Sequence, residues 1–364
     1  MQKFKVGILG ATGAVGQRFI QLLEGHPWFE VAEVIASPRS AGRPYGETVN
    51  WILDGSPPQS VRNLIIKGLT DSFESQLIFS ALPKEAAKDR ELELAHIGHI
   101  ICTNASSHRM VADVPLLLPE VNAQHIDLIS IQRQQRGWSG AIIANSNCTT
   151  MPVVMALKPL QRFGIRKVHM VSEQAISGAG HPGVASLDIM DNVIPYVSGD
   201  EHKMETETQK MLGNFNGQEI EFADLVAGAT CTRVPVIDGH LVNMSIELDD
   251  KPLLDDIIVA WSSFQGDDPI PNLPSAPRQP VIYLNQIDRP QIRRDRNAGK
   301  GMSTSIGRLR ECPILDYKFA ALTHNTIRGA AGCSILNAEL LAMRGYFDNF
   351  TPNIEELEQA VDRV

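Results

Sequence analysis

Cysteine is scarce in this 364-residue chain. The five that occur, Cys102, Cys148, Cys231, Cys312 and Cys333, are scattered, odd in number and never spaced as CxxC. That pattern argues against a disulfide framework or a zinc site, so no metal is expected and a reducing cytoplasm fits best. Long apolar runs are missing as well, since no stretch reaches the ~18 residues a transmembrane helix needs. The opening MQKFKVGILG leads into a strand-like run without the charged, apolar and small-residue order of a secretory leader. Positive charge is in deficit, with 33 Lys and Arg against 42 Asp and Glu and a formal net charge of −9. A broad nucleic-acid-binding face is therefore disfavoured, while a small anion held by a few local Arg or Lys residues remains open. There is no internal repeat and no low-complexity tract.

What is present reads as a globular α/β protein. Hydrophobic residues make up 43% and charged residues 21%, enough for a large core, and the length suits two domains. Residues 4–9 read as a first strand, followed by a Gly-rich turn and a helix with Val15, Phe19, Leu22 and Leu23 at helical spacing. Residues 29–36 read as a second strand, which completes a βαβ unit. Short apolar runs at Leu77–Ala81, His99–Cys102 and Ala141–Ala144, with a helix over Lys84–His96, extend the alternation into a Rossmann-type, doubly wound domain. After Cys148 the pattern changes. Longer strands are expected at 168–175, 229–236, 241–248 and 317–323 with few helices between them, which implies an α+β unit with a mixed or antiparallel sheet. The Pro-rich stretch 267–280 reads as a loop or arm, 330–343 as a helix, and helical propensity returns over 354–361.

Two motifs carry chemistry. The first, Gly10-Ala-Thr-Gly13-Ala-Val-Gly16, sits between a strand and a helix, the context in which a Gly-rich turn cradles a dinucleotide pyrophosphate. A tight turn with close packing is the alternative. An NAD site places an acid at the end of the second strand. Here that end reads Ala36-Ser37-Pro38-Arg39-Ser40, and Glu33 lies inside the strand. Hydroxyls and an Arg suit a 2′-phosphate, so the expected cofactor is NADP.

The second motif, Asn145-Ser-Asn147-Cys148-Thr-Thr-Met-Pro, follows a strand and precedes a helix. A thiol near a helix N-terminus has a lowered pKa and is a candidate nucleophile, although most cysteines are inert core residues. His240 follows Arg233 by seven residues across an expected strand and turn. Arg233 suits a substrate carboxylate and His240 a general base.

These motifs, with Gln174-Ala-Ile-Ser-Gly-Ala-Gly180 and the order in which all of them occur, resemble the aspartate-semialdehyde dehydrogenase family, and the resemblance spans nearly the whole chain. Val-Pro-Leu-Leu-Leu-Pro-Glu-Val-Asn at 114–122 is similar to its archaeal and fungal branch. The resemblance implies reduction of aspartyl-4-phosphate to the semialdehyde with NADPH through a thioester on Cys148. It makes His240 the acid/base and Gln174 the residue that orients substrate. Arg233 would bind the α-carboxylate, and Glu201, or its neighbour Asp200, the ammonium. Arg109 and Lys203 would bind phosphate, with Asn147 beside the nucleophile. Cofactor contacts would come from Gly10, Thr12, Gly13, Ala14, Val15, Ser37, Arg39, Ser40, Ser80, Ser177, Gly178 and Asn325. A homodimer or homotetramer is implied, with residues 1–147 and about 330–364 binding NADP and 148–329 forming the catalytic and dimerisation domain. A malonyl-CoA reductase-like enzyme and a non-catalytic NADP sensor are the rival readings.

Overall fold

The computed structural model describes residues 3–347; the helix expected over 354–361 lies outside them. Five short strands, β1 (Phe4–Leu9), β2 (Phe29–Ile35), β3 (Leu77–Ser80), β4 (Ile100–Thr103) and β5 (Ala141–Ala144), form a wholly parallel sheet in the order β2-β1-β3-β4-β5. β3, β4 and β5 are buried at every position. That is why their sequences are unbroken apolar runs rather than alternations. The amphipathic helix Ala14–Leu23 lays Phe19, Ile20 and Leu23 on this sheet.

A second sheet is built from β6 (Ile165–Gln174), β9 (Val226–Arg233), β10 (His240–Leu248), β11 (Val281–Leu284), β12 (Thr304–Glu311) and β13 (Tyr317–Thr323), while β7 (Asn214–Phe215) and β8 (Ile220–Glu221) make a separate hairpin. The sheet order is β11-β12-β13-β10-β6-β9, mixed in direction: β6 runs parallel to β9 and antiparallel to β10. Alternating burial along β10 matches a sheet with one covered face. Compared with the sequence-based expectation, β9 begins and ends three residues earlier; Pro235 cannot donate to a ladder, so the strand stops at Arg233. Strands β11 and β12 and the helix Asp200–Met211 were not expected.

The helix Thr150–Leu157 has all eight of its residues buried, and an all-round apolar helix belongs in a core. It packs on β10, β12, β13 and the helix Asp200–Met211, and so seats the residues after β5 against the second sheet. The Pro-rich stretch is not a free arm. Ile270 and Leu273 are buried in the core of the parallel sheet, and Ser275 is hydrogen-bonded to Glu339 of the C-terminal helix Gly332–Met343. Among the described residues, no helix is long and apolar enough to cross a membrane.

Candidate active site

The C-terminal ends of the parallel strands open onto a cavity of about 640 Å³, where ligands bind in open α/β sheets. Gly10, just beyond β1, has φ +79°, and a Cβ there would lie 2.8 Å from the Ala81 carbonyl oxygen. A Cβ on Gly16 would lie 2.2 Å from the Gly10 carbonyl oxygen, so helix and turn pack without side chains between them. A Cβ on Gly13 would meet nothing nearer than 3.4 Å, and with Thr12, Ala14 and Val15 this residue lines the cavity. The result is a bare backbone cradle at a helix N-terminus, which fits a pyrophosphate. Gln17 fixes its rim, donating to the Thr12 and Asn50 carbonyls at 3.0 and 2.9 Å and accepting from the Ile52 N–H at 2.8 Å.

Glu33 is committed elsewhere, accepting from Lys67 at 2.6 Å and from the Ser75 N–H at 2.8 Å. It leaves no carboxylate for a ribose diol at the end of β2. Ser37 and Arg39 stand exposed there and Ser40 half-buried, beyond the cavity wall. Ser80 is fully buried within β3, and its neighbours Ala81 and Leu82 line the cavity in its place. Asn325, Ser177 and Gly178 do line it. Asn325 accepts from the Gly239 N–H at 2.7 Å and donates to the Ser177 hydroxyl at 2.8 Å.

Cys148 stands two residues before the helix Thr150–Leu157. The buried Asn147 side chain accepts from the Thr149 N–H at 2.7 Å and closes the turn that presents the thiol. On the other side, a Cβ on Gly329 would lie 2.6 Å from that of Cys148, so a glycine is required where the π-helical turn Ile327–Ala331 passes. Burial pushes the Cys148 thiol up to about 11, with Asp200 adding to the effect and Arg109 and Arg233 opposing it. Desolvation of the thiolate thus opposes the lowering expected from a helix N-terminus and from the two nearby guanidinium groups.

The second sheet brings its own residues to the same edge. Gln174 ends β6 opposite Arg233 at the end of β9, and His240 begins the neighbouring β10. His240 Nε2 lies 3.2 Å from Cys148 Sγ. The Ala175 N–H donates to His240 Nδ1 at 3.0 Å. A nitrogen that accepts carries no proton, so the neutral ring bears its hydrogen on Nε2, facing the sulfur. Burial, reinforced by Arg233, pulls the His240 pKa down to about 3. Arg233 donates to the Ala175 carbonyl at 2.7 Å. Both side chains sit directly behind Gly178, whose Cβ would lie 2.8 Å from Arg233 Nη1 and 3.2 Å from His240 Nε2.

Lys203 and Arg109 also reach the cavity, and Asp200 pairs with Lys203 at 2.8 Å. Glu201 turns away, its carboxylate accepting from the Cys231 N–H at 3.0 Å. Asp200 is thus the acid on the cavity wall. Arg109 is buried; Nη1 donates to Glu207 at 3.0 Å, Nη2 to the Asn104 carbonyl at 2.8 Å, and Nε has no partner among the described residues. Gln17, Glu207 and Gly329 belong to no motif that announces them; only the fold brings them here. Among the described residues, no cluster of three or more His, Cys, Asp or Glu is arranged to hold a metal ion.

Residues 5–129 match the family model described as semialdehyde dehydrogenase, NAD binding domain, and residues 157–328 the one described as semialdehyde dehydrogenase, dimerisation domain. An aspartate-semialdehyde dehydrogenase of Archaeoglobus fulgidus is 46% identical over 340 residues, 93% of this chain and 98% of that protein. One of Aspergillus fumigatus is 43% identical over 357 residues, 94% of this chain and 98% of that protein. The crystal structure of aspartate-semialdehyde dehydrogenase with NADP from Candida albicans superposes with a TM-score of 0.87 at 38% identity, covering 95% of this chain and 100% of that one.

Proposed function

The chain belongs to the aspartate-semialdehyde dehydrogenase family, and from that premise we propose that it interconverts L-aspartate-4-semialdehyde plus phosphate with L-aspartyl-4-phosphate, using NADP. It would work reductively in the biosynthesis of threonine, methionine, isoleucine and lysine. The observation that carries this reading is the 3.2 Å contact of Cys148 Sγ with His240 Nε2 beside a cavity that extends to the glycine cradle.

In this reading Gly10 to Val15 hold the pyrophosphate of NADP, Ser37, Arg39 and Ser40 face its 2′-phosphate, and Ser177, Gly178 and Asn325 border the nicotinamide. Bound there, the cofactor supplies the hydride acceptor that oxidises the substrate carbon to the acyl level. Arg233 binds the α-carboxylate, Asp200 the ammonium, and Gln174 orients the chain between them. Cys148 attacks the aldehyde carbon as thiolate, its proton having left to solvent through the open cavity. His240, whose Nε2 already carries a proton, acts here as a hydrogen-bond donor and not as the general base expected of it. The Nε2–H of His240 and the backbone N–H at Cys148 offset the charge, first on sulfur and then on the adduct oxygen. The resulting thioester faces Arg109 and Lys203, which hold the attacking phosphate. Holding both anions beside the acyl carbon can lower a bimolecular barrier by ~7–11 kcal/mol. Self-association through the second sheet accords with the name of the domain model matched at 157–328.

The test is NADP reduction by the purified protein with L-aspartate-4-semialdehyde, with and without inorganic phosphate. Phosphate-dependent reduction is expected. Activity with coenzyme A in place of phosphate, or none with either, would overturn the proposed acceptor or substrate.

A further inference from the structure

The helix Asp200–Met211 carries more than its two cavity residues. Asp200, Lys203, Glu207 and Lys210 follow one another at intervals of three, four and three residues, which keeps them on one side of the helix. The first two reach the cavity. The second two are buried beneath it, each about 1% exposed. The two oxygens of Glu207 are divided between separate parts of the site. Oε1 accepts from Arg109 Nη1 at 3.0 Å, and Oε2 accepts from the backbone N–H of Asn147, the residue before the nucleophile, at 2.6 Å. Lys210 donates to the carbonyls of Arg109, Val111 and Val114 at 2.7, 3.0 and 2.9 Å, which uses all three ammonium hydrogens on the segment that bears Arg109.

Burying two ionised side chains carries a desolvation cost that well-packed apolar residues would avoid. What this pair supplies is geometry. Glu207 sets the guanidinium and Lys210 sets the backbone behind it, and Arg109, with two of its five N–H donors committed, still lines the cavity. Taking Arg109 as a phosphate ligand from the reading above, we infer that Glu207 and Lys210 are positioning residues. They aim Arg109 at the acyl acceptor and tie it to the turn that presents Cys148.

The substitution Glu207→Gln leaves one acceptor oxygen for two donors and sets an N–H against Arg109. The KM for phosphate should rise by about tenfold or more, the size of a lost charge-assisted hydrogen bond, while the KM for the semialdehyde moves by less than about twofold. Lys210→Gln should shift the phosphate KM the same way and by less, and it keeps the question answerable if Glu207→Gln does not fold. A purely structural role would lower kcat through loss of folded enzyme and leave both KM values in place; that result in both variants overturns the inference. Protection of Cys148 from iodoacetamide by inorganic phosphate supplies a readout without turnover. The half-protecting concentration should rise by the same factor in Glu207→Gln, and an unchanged concentration would equally overturn the inference. If wild-type turnover proves independent of phosphate, the proposed reaction fails, while the protection titration still decides whether Glu207 positions an anion site.

Discussion

The backbone N–H of Ala175 donates to Nδ1 of His240 across 3.0 Å, so the state of the imidazole is fixed by the main chain beside Gln174. Adding a second proton would place Nδ1–H against that N–H. This constraint, burial and Arg233 all hold the ring neutral, with its pKa near 3. Because the folded pKa lies below the ordinary value, the ring should stay uncharged throughout the range above it, down to acid far below neutral. Ring ¹⁵N shifts of histidine-labelled protein should report a neutral Nε2–H tautomer at pH 5 and at pH 8 alike. A protonated Nδ1 at either pH would remove the proposed donor role.

The Cys148 thiol, pushed up to about 11 by its surroundings, should be mostly protonated in the free enzyme at neutral pH. Its thiolate fraction, and hence its alkylation rate, should climb about tenfold per pH unit below that value. Iodoacetamide labelling followed by mass spectrometry between pH 7 and 9 measures the slope. A rate already flat by pH 8 would mean that the helix N-terminus and the two guanidinium groups outweigh burial after all.

Gly178 has open cavity on one side and the reactive pair on the other. In Gly178→Ala the new methyl would press on Arg233 Nη1 and His240 Nε2. Arg233 cannot retreat without giving up its 2.7 Å bond to the Ala175 carbonyl. Turnover should fall by about a hundredfold or more, as for a displacement of about 1 Å at a reacting centre, with the melting temperature nearly unchanged because Gly178 is exposed. Wild-type kinetics in the variant would show that the two side chains have room to move.

With Glu33 bound to Lys67 and Ser75, discrimination between cofactors falls, in the reading proposed above, to Ser37, Arg39 and Ser40. Arg39→Ala should weaken NADP binding by about tenfold or more, as for a lost charge-assisted contact, and leave NAD binding within about twofold. Equal losses in fluorescence titrations of both cofactors would assign Arg39 to the surface instead.

How much of this was legible follows from where each residue's partners lie. The parallel sheet could be read because its strands are apolar runs and its glycine turn is local. The helix Asp200–Met211 could not, since its buried side is made of Asp200, Glu207, Thr208 and Lys210 beside only Met204 and Met211, and hydrophobic periodicity is silent on such a face. Strand β12 was hidden by Arg308, which sits at φ +64° where the register with β13 breaks between Gly307 and Arg310. Cys148, Arg233 and His240 stand out by residue type. The choice of Asp200 over Glu201 on the cavity wall depends on which carboxylate the Cys231 N–H takes, a contact 30 residues away in sequence.

The same logic applies to Arg328 and Glu120, which form an ion pair at 2.9 Å with neither side chain exposed. Arg328 adjoins Gly329, the residue pressed against Cys148, so the pair anchors the π-helical turn that backs the nucleophile. Removing one partner strands a buried charge, which costs about 3–5 kcal/mol, whereas replacing both with apolar residues of similar volume is often neutral. Glu120→Leu should therefore lower the melting temperature by roughly 10 °C, and adding Arg328→Met should restore most of the loss. Calorimetry on the two variants decides the matter. A double variant no more stable than the single one would mean that the Arg328 contact with Met155 Sδ at 3.1 Å and the surrounding packing, rather than charge pairing, hold the turn in place.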